Sequence, residues 1–186
     1  MNKNKTDLSK FNNTWYYPGN PVKRLVWYLI NICFFQCPFL PFPFIKIFFL
    51  RFFGAKVGKG VNIKPSVNIK YPWKLQLGNN VWIGEGVWID NLEEVFIGDN
   101  SCISQGALIL SGNHNYKKPR FDLVLKKIIL EDGVWIGAKS IVTGGVICGS
   151  HSVLSAGSVA SVNLESYWIY RGNPAVKIKE RIIEKN

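Results

Sequence analysis

The hydrophobic residues of this chain follow a period of six over most of its length. An amphipathic helix would repeat about every 3.6 residues and a half-buried strand every two, so neither explains this period. Short strands joined by tight corners do explain it, because each strand then sends one aliphatic side chain into a narrow interior. The aliphatic positions are Val57, Ile63, Ile69, Leu77, Ile83, Ile89, Ile97, Ile103, Ile109, Leu130, Ile136, Val142, Cys148, Leu154 and Ala160. The pattern predicts an all-β fold, in which three hexads close one triangular coil and the coils stack by parallel pairing.

The residues around each aliphatic position fit the same fold. Glycine often follows it directly, where a corner needs positive φ or a close approach of two backbones. A small or β-branched residue stands four places after it. These glycines are Gly58, Gly78, Gly84, Gly98, Gly137 and Gly149. The open ends of such a coil would expose unpaired strand edges, so we expect other segments to cover them.

The segment before the repeat is apolar but interrupted. Pro38, Pro41 and Pro43 break the stretch 25–53, which therefore lacks the about 20 uninterrupted apolar residues of a membrane span. It predicts two short helices that flank a proline-rich turn. The helices either only cap the first coil or also lie in a membrane interface. The cations that would then face lipid headgroups are Lys23, Arg24, Lys46 and Arg51.

The chain is therefore divided into three parts: an N-terminal helical segment at 1–55, the β-helix at 56–173 and a C-terminal tail at 174–186. The tail is predicted to form a short, partly apolar helix. Its apolar residues are Val176, Ile178, Ile182 and Ile183. The flat faces of the β-helix carry Trp82, Trp88 and Trp135, more aromatic surface than a monomer should expose. Packing against identical copies would cover it.

The six-residue count fails between Ile109 and Leu130, so a loop near 111–127 must protrude. Regular solenoids often carry function on such insertions. His114 lies at the base of this loop, and an imidazole at the edge of a groove suits a general base near neutral pH. His151, in a regular hexad, is expected to be solvated.

Composition limits the partners and the compartment. A net charge of +11 implies a polyanionic partner, namely nucleic acid, an anionic membrane or a phosphate-bearing small molecule. Lys and Arg are spread out and form no basic run with interleaved aromatics, which disfavours nucleic acid. Four cysteines without a C-x-x-C pair indicate a reducing, cytoplasmic setting. Residues 1–10 lack the apolar core of a signal peptide.

A set of motifs occurs in order along the chain. They are W-Y-Y-P-G (15–19), F-G-A-K-V-G-K-G (53–60), V-N-I-K-Y-P-W-K-L (67–75), V-W-I-D-N-L (87–92), C-I-S-Q-G-A (102–107), G-N-H (112–114), E-D-G-V-W-I-G-A (131–138) and G-N-P-A (172–175). The set resembles the hexapeptide-repeat acyltransferases. It is most similar to their colanic-acid biosynthesis acetyltransferases, and also to the galactoside and maltose O-acetyltransferases. The resemblance covers nearly the whole chain and implies a single-stranded, left-handed parallel β-helix, against the usual right-handed preference of crossovers.

The same resemblance implies a homotrimer with an active site in each cleft between neighbours. His114 matches the catalytic histidine, Trp135 an aromatic residue of the site, and Asn113 lies beside the histidine. Asp90 and Asn91 lie in the segment that shapes the acceptor pocket, and with Asn113 and Trp135 they are the predicted substrate-binding residues. The positions that match contacts of the pantetheine arm or phosphates of CoA are Ala138, Ala156, Gly157, Ser161, Lys177 and Lys179.

Some positions depart from the family pattern. Asn115 stands where relatives often have an acidic residue, and Gly144-Gly145 replaces a proline–glycine corner. The segment 161–166 lacks the usual prolines, and the order at 175–177 is Ala-Val-Lys. These departures affect the expected geometry around CoA and the acceptor, whereas the hexads and His114 fit.

The implied function is an acetyl-CoA-dependent O-acetyltransferase that acts on a sugar hydroxyl in exopolysaccharide or capsule assembly. The sugar could be a small molecule or lipid-linked, and an amino-sugar nitrogen or a nucleotide-linked sugar is the alternative acceptor. A non-catalytic β-helix is the alternative from another class. A zinc hydratase is disfavoured, because two histidines cannot supply three imidazole ligands, and no metal is expected.

Overall fold

The computed structural model describes residues 5–184 and is a three-sided parallel β-helix. Face A consists of β1 (Lys56–Val57), β4 (Leu75–Leu77), β7 (Val95–Ile97), β12 (Ile128–Leu130) and β15 (Ile147–Cys148). Face B consists of β2 (Asn62–Ile63), β5 (Trp82–Ile83), β8 (Cys102–Ile103), β13 (Trp135–Ile136), β16 (Val153–Leu154), β18 (Trp168–Gly172) and β19 (Ala175–Glu180). Face C consists of β3 (Asn68–Ile69), β6 (Trp88–Asp90), β9 (Leu108–Leu110), β14 (Ile141–Thr143) and β17 (Val159–Ala160).

The aliphatic column predicted from the repeat forms the core. In the three faces, every strand except β19 pairs in parallel with the strand one coil away, so that Ile63 is in register with Ile83, and Ile83 with Ile103. All the predicted inward positions from Ile63 to Ala160 are buried, while Val57 in the first coil is partly exposed. Each coil alone would bury little, and the stack of coils creates the core.

The N-terminal segment forms the two predicted helices on either side of the proline-rich turn. They are α1 (Pro21–Ile30), continued by a π-helical turn at Asn31–Phe35, and α2 (Pro43–Phe52). Trp27 of α1 is buried and donates from Nε1 to the Ile69 carbonyl at 2.8 Å. The helices thus supply hydrogen-bond donors to the first coil, whose strand edges would otherwise stay open.

Lys46 corrects one expectation for this segment. Its side chain is 1% exposed, and Nζ donates to the carbonyls of Lys64 at 2.7 Å and Ile63 at 3.4 Å. Burial lowers the pKa of Lys46 to about 8. Lys46 therefore belongs to the cap of the first coil and cannot face lipid headgroups.

The predicted C-terminal helix is wrong. Ala175–Glu180 forms β19, which pairs antiparallel with β18 and extends face B. Val176 and Ile178 alternate with Lys177 and Lys179, a period of two that suits a strand, and β19 covers the last parallel edge of the face. Residues 1–4 and 185–186, at the ends of the predicted N- and C-terminal parts, lie outside the described residues.

The interruption of the repeat protrudes from the β-helix, as predicted. Within it, β10 (Gly112–His114) and β11 (Leu123–Leu125) form an antiparallel hairpin, with His114 opposite Leu123. The hairpin leaves the β-helix after β9 of face C and returns before β12 of face A. It therefore stands at the edge between faces C and A, which we call the C–A edge.

Candidate active site

His114, at the end of β10, is held by the far arm of the hairpin. Its Nδ1 lies 2.8 Å from the carbonyl oxygen of Phe121, and its ring stacks on the Phe121 ring at 4.5 Å with an angle of 11° between the planes. A carbonyl oxygen only accepts hydrogen bonds, so Nδ1 carries the proton. In the neutral imidazole Nε2 is then the nitrogen with the lone pair, and it can act as a base.

Tight turns of the loop bring Phe121 back to His114. The N–H of Phe121 donates to the Lys118 carbonyl at 3.0 Å, and Phe121 itself has a φ of 54°, which is uncommon for a bulky residue. Asn115 accepts from the Lys117 N–H at 3.1 Å and shapes the same turn. Asn113 accepts from the His114 N–H at 2.7 Å. The asparagines on both sides of His114 thus support its backbone.

A cleft of about 600 Å³ lies beside His114. Its walls are residues 11–18, the hairpin and the C–A edge, with Tyr71 and Leu92 from the latter. The Tyr16 hydroxyl donates to the Leu92 carbonyl at 2.7 Å, and Lys74 Nζ donates to the same oxygen at 2.7 Å. Burial raises the pKa of Tyr16, so the phenol stays protonated and keeps this hydrogen bond.

A second cavity of about 440 Å³ lies between α1 and face C. Arg24, Lys70 and Tyr71 line both this cavity and the His114 cleft. Asp90 lines only the second cavity, where it forms an ion pair with Lys70 at 2.8 Å. The structure thus places Asp90 next to the His114 cleft but not in it. Tyr16, Lys70 and Tyr71 were not singled out from the sequence, although they lie in motifs that carry the resemblance.

Asn91 is fully buried under Tyr71. Its Oδ1 accepts from the Tyr71 N–H at 3.0 Å, and its Nδ2 donates to the Tyr71 carbonyl at 2.6 Å. A buried side chain that pairs with backbone in this way positions the residue above it. Asn91 is therefore too buried for the predicted direct contact with an acceptor, and its side chain instead fixes the backbone of Tyr71.

Trp135 lies on face B, away from the His114 cleft of the same chain. Its ring is exposed and its Nε1 donates to Ser104 Oγ at 2.9 Å. Trp82 and Trp88 are exposed as well, as predicted for the flat faces. Within one chain the structure does not bring Trp135 and His114 together.

Ala138, Ala156 and Gly157 line one edge of the β-helix, between faces B and C. The Gly157 N–H donates to the Ala138 carbonyl at 2.8 Å, so consecutive coils stack these residues. A Cβ on Gly157 would meet no atom within 4 Å, which shows that this edge is open. Ser161 follows β17 at the C–A edge, so it is not part of this row.

Lys177 and Lys179 both lie on β19, on either side of an irregularity in its pairing with β18. Tyr170 is in register with Lys177 and Ile169 with Lys179, and the register shift between them leaves Ile178 unpaired. Lys177 pairs with Glu165 and lies 3.7 Å above the Trp168 ring. Lys177 is therefore engaged with residues of its own chain, and the register shift separates it from Lys179.

His151 is not solvated as expected. It is half-buried, and its ring stacks on Tyr167 at 4.8 Å with an angle of 2° between the planes. Its φ is 61° and its backbone carbonyl accepts from Arg181 at 3.1 Å. These contacts give His151 a place in the stacked corners between faces A and B.

Comparisons with known proteins agree with this fold. None of the protein-family models matches the chain. The chain is 36% identical to the colanic acid biosynthesis acetyltransferase WcaF of Escherichia coli K12 over 177 residues, 95% of this chain and 97% of the relative. A maltose O-acetyltransferase from Clostridium difficile 630 superposes with a TM-score of 0.79 at 22% identity, over 90% of this chain and 92% of the other.

A hexapeptide-repeat acetyltransferase from Vibrio cholerae, solved with acetyl-CoA, superposes with a TM-score of 0.78 at 19% identity, over 87% of this chain and 88% of the other. The two structures confirm the left-handed parallel β-helix fold. Since WcaF is matched at 36% identity over nearly its whole length, the chain belongs to the hexapeptide-repeat acyltransferases, in the branch of the colanic acid biosynthesis acetyltransferases.

Proposed function

We propose that the protein transfers the acetyl group of acetyl-CoA to a sugar hydroxyl in the assembly of a cytoplasmic polysaccharide precursor. The observation that carries the proposal is the fixed tautomer of His114, whose Nδ1–H is held by the Phe121 carbonyl beside a cleft of about 600 Å³. The kinship with WcaF supports the polysaccharide setting, and the Vibrio structure with acetyl-CoA supports the donor.

His114 acts as a general base in this reaction. Nε2 removes the proton of the acceptor hydroxyl while the oxygen attacks the thioester carbonyl. The tetrahedral intermediate then collapses, the carbon–sulfur bond breaks, and the imidazolium returns its proton to the departing thiolate of CoA. Aspartate or glutamate is not needed at Nδ1, because the Phe121 carbonyl already accepts that hydrogen.

The complete site requires a second copy of the chain. The expected pantetheine residues Ala138, Ala156 and Gly157 lie at the edge between faces B and C, whereas His114 stands at the C–A edge. One copy would offer the first edge and its neighbour the second, with the exposed Trp135 between them. A homotrimer built in this way also covers the exposed Trp82 and Trp135 of face B.

Acetyl transfer to a panel of sugars tests the proposal. General base catalysis contributes roughly 10²–10⁴-fold, so His114→Ala should lose about that factor in kcat and keep its oligomeric state. His151→Ala is the matched control, since it removes the other histidine and should leave kcat within about twofold. A His114→Ala enzyme with a near-normal rate would exclude this role.

We further propose that the N-terminal segment contacts an anionic membrane surface, which would favour a lipid-linked acceptor. Phe44, Phe48 and Phe52 form a stripe along the outer side of α2 and are 67%, 62% and 73% exposed. From Leu8 to Gly84 the chain contains no Asp or Glu but ten Lys or Arg residues. Between residues 5 and 184, no helix is both long and apolar enough to span a bilayer. The segment would therefore lie on the surface.

Flotation with vesicles tests this contact. The wild type should bind phosphatidylcholine vesicles that contain phosphatidylglycerol and bind pure phosphatidylcholine less. Replacing Phe44, Phe48 and Phe52 by Ser should weaken binding by at least about tenfold, because each buried phenylalanine contributes about 1.5–3 kcal/mol. Ile182→Ser, an exposed apolar residue near the other end, should have little effect. Failure of the wild type to float, or a triple variant that changes only the oligomeric mass, would rule the contact out.

A further inference from the structure

The His114 cleft and the second cavity meet at one group of side chains. Arg24, Lys70 and Tyr71 line both spaces, so an extended ligand can pass from one to the other along them. Tyr71 is fixed there by the buried Asn91 through two hydrogen bonds to its backbone. The junction is thus a built part of the site.

The junction carries an excess of positive charge. Lys70 is paired with Asp90 at 2.8 Å, whereas Arg24 has no carboxylate within 4 Å among residues 5–184. A guanidinium presents paired N–H groups that match the oxygens of a phosphate. Two cations against one carboxylate leave a charge that an anionic group of a ligand can neutralise.

The second cavity continues beyond the two cations with apolar walls. These walls are formed by Leu25, Trp27 and Tyr28 from α1 and by Trp88 from face C, while the amides of Asn31, Gln36 and Asn68 also line the cavity. Its volume of about 440 Å³ lies within the range of small-molecule sites. The apolar walls suit a flat ring or a hydrocarbon chain. Asn31 Nδ2 already donates to Asn68 Oδ1 at 2.7 Å, so these two amides have less capacity left for a second sugar.

Outward from the proposed catalytic base, Nε2 of His114, the site consists of the cleft, the two cations and the second cavity with its apolar walls. We infer that the acceptor is a sugar attached through phosphate to an apolar or aromatic group. The sugar hydroxyl lies at His114, the phosphate at Arg24 and Lys70, and the attached group in the second cavity. This inference rests on the proposed function for the position of the sugar. A nucleoside diphosphate and a polyprenyl diphosphate share this chemistry.

Calorimetric binding tests the phosphate site without requiring turnover. Glucose 1-phosphate and galactose 1-phosphate should bind at least about tenfold more tightly than the corresponding methyl glycosides, as expected for charge-assisted hydrogen bonds. Arg24→Gln should remove that difference and Arg24→Lys should restore part of it. Lys56→Gln, which removes an exposed charge from face A, is the matched control. Equal affinity for the phosphorylated and neutral sugars in the wild type would overturn the inference.

Asp90→Asn should change the affinity for sugar phosphates in the opposite direction from Arg24→Gln. It frees Lys70 from its carboxylate partner, so sugar phosphates should bind severalfold more tightly, a result that misfolding cannot imitate. Weaker binding in Asp90→Asn would contradict the charge balance described above.

Assays of acetyl transfer then distinguish nucleoside-linked from polyprenyl-linked acceptors, and they test the phosphate site separately from the proposed function. With nucleoside diphosphate and polyprenyl diphosphate forms of the same sugar, the natural class should show the higher kcat/KM. If sugar phosphates bind through Arg24 but nothing is acetylated, the proposed function fails and the phosphate site stands. If neutral and phosphorylated sugars are acetylated with equal kcat/KM, the phosphate site fails and the acetyltransferase stands.

Discussion

Two edges of the β-helix differ in how their corners are built. The A–B edge joins face A to face B, and its corners are residues 58–61, 78–81, 98–101, 131–134, 149–152 and 165–167. The third residue of every corner has positive φ. Its N–H donates to the carbonyl of the second residue one coil away, as from Asn100 to Asn79 at 2.8 Å and from His151 to Asp132 at 2.7 Å. The A–B edge is a regular ladder.

The corners of the C–A edge have no common length. They range from a short turn at 144–146 to the hairpin at 111–127. Here the polar groups hold individual residues: the Asn91 side chain bonds the backbone of Tyr71, and the Phe121 carbonyl accepts from the His114 ring. A regular corner must satisfy the coils above and below it, whereas an irregular one leaves room for a cleft. The repeat thus forms the core of the molecule, and the exceptions to it form the candidate site.

The largest difference in stability between variants of the two edges should appear when a glycine is replaced by alanine. On Gly98 of the A–B edge a Cβ would lie 2.7 Å from the Asp132 backbone nitrogen, and backbone atoms of a stacked coil cannot move aside. We expect Gly98→Ala to lower the free energy of unfolding by about 3 kcal/mol.

Gly112 of the C–A edge provides the matched variant. A Cβ there would meet Leu92 Cδ1 at 2.6 Å, the end of a flexible side chain that can rotate away. Gly112→Ala should cost about 1 kcal/mol or less. Urea denaturation of both variants measures the difference, and equal losses would show that the C–A edge is as rigid as the ladder.

Asn91 of the C–A edge and Asn79 of the A–B edge should differ in how much they contribute to stability. Asn91→Ala leaves the buried N–H and carbonyl of Tyr71 without partners, which should cost about 2 kcal/mol and raise KM for the acceptor. Asn79→Ala in the exposed ladder removes hydrogen bonds that water can replace, so its cost should stay below about 1 kcal/mol. Denaturation gives the free energies, and an unchanged acceptor KM in Asn91→Ala would separate Tyr71 from acceptor binding.

The sequence predicted the regular parts of the molecule better than the exceptions. The hexads from Ile63 to Ala160 show the core because each position repeats the same environment. Apolar content predicts a helix in the tail at 174–186, whereas the pairing of Ala175–Glu180 with β18 depends on an edge that only the complete fold presents. Lys46 could not be recognised as a cap, because its partners are backbone carbonyls distant in sequence.

The site was predictable only in part. His114 follows from the break in the repeat, and the family resemblance supplied its role. The contact with the Phe121 carbonyl, the junction at Arg24 and Lys70, and the burial of Asn91 all depend on how irregular corners meet in space. A period describes what coils share, so it contains no information about the corner that differs.

Each of the two edges contains a histidine whose ring stacks on an aromatic side chain. His114 stacks on Phe121, whose φ is 54°. His151 stacks on Tyr167, whose φ is 61°. A stacked aromatic pair contributes about 0.5–1.5 kcal/mol, so Phe121→Ala should release the His114 ring and lower kcat about tenfold, while Phe121→Tyr keeps the ring and the rate. Tyr167→Ala should lower the free energy of unfolding by about 1 kcal/mol and leave kcat unchanged. Steady-state kinetics give kcat, and urea denaturation gives the free energy of unfolding, for Phe121→Ala, Phe121→Tyr and Tyr167→Ala. A rate loss in Tyr167→Ala of the same size would mean that the ladder, too, controls the site.

The smallest expected effect concerns the charge of Asp99 in the ladder. Hydrogen bonds from the backbone and side chain of Asn79 lower the pKa of Asp99 below its usual 3.8. A carboxyl whose folded pKa is depressed adds stability above its unfolded pKa, and this stability is lost as the pH falls through the folded pKa. The difference in free energy of unfolding between the wild type and Asp99→Asn should therefore be constant from neutral pH to about pH 5 and shrink at lower pH. Urea denaturation at several pH values measures it. A difference that stays constant into the acid range would mean that the ladder is held by its backbone hydrogen bonds alone, with Asp99 contributing no more than a neutral amide does.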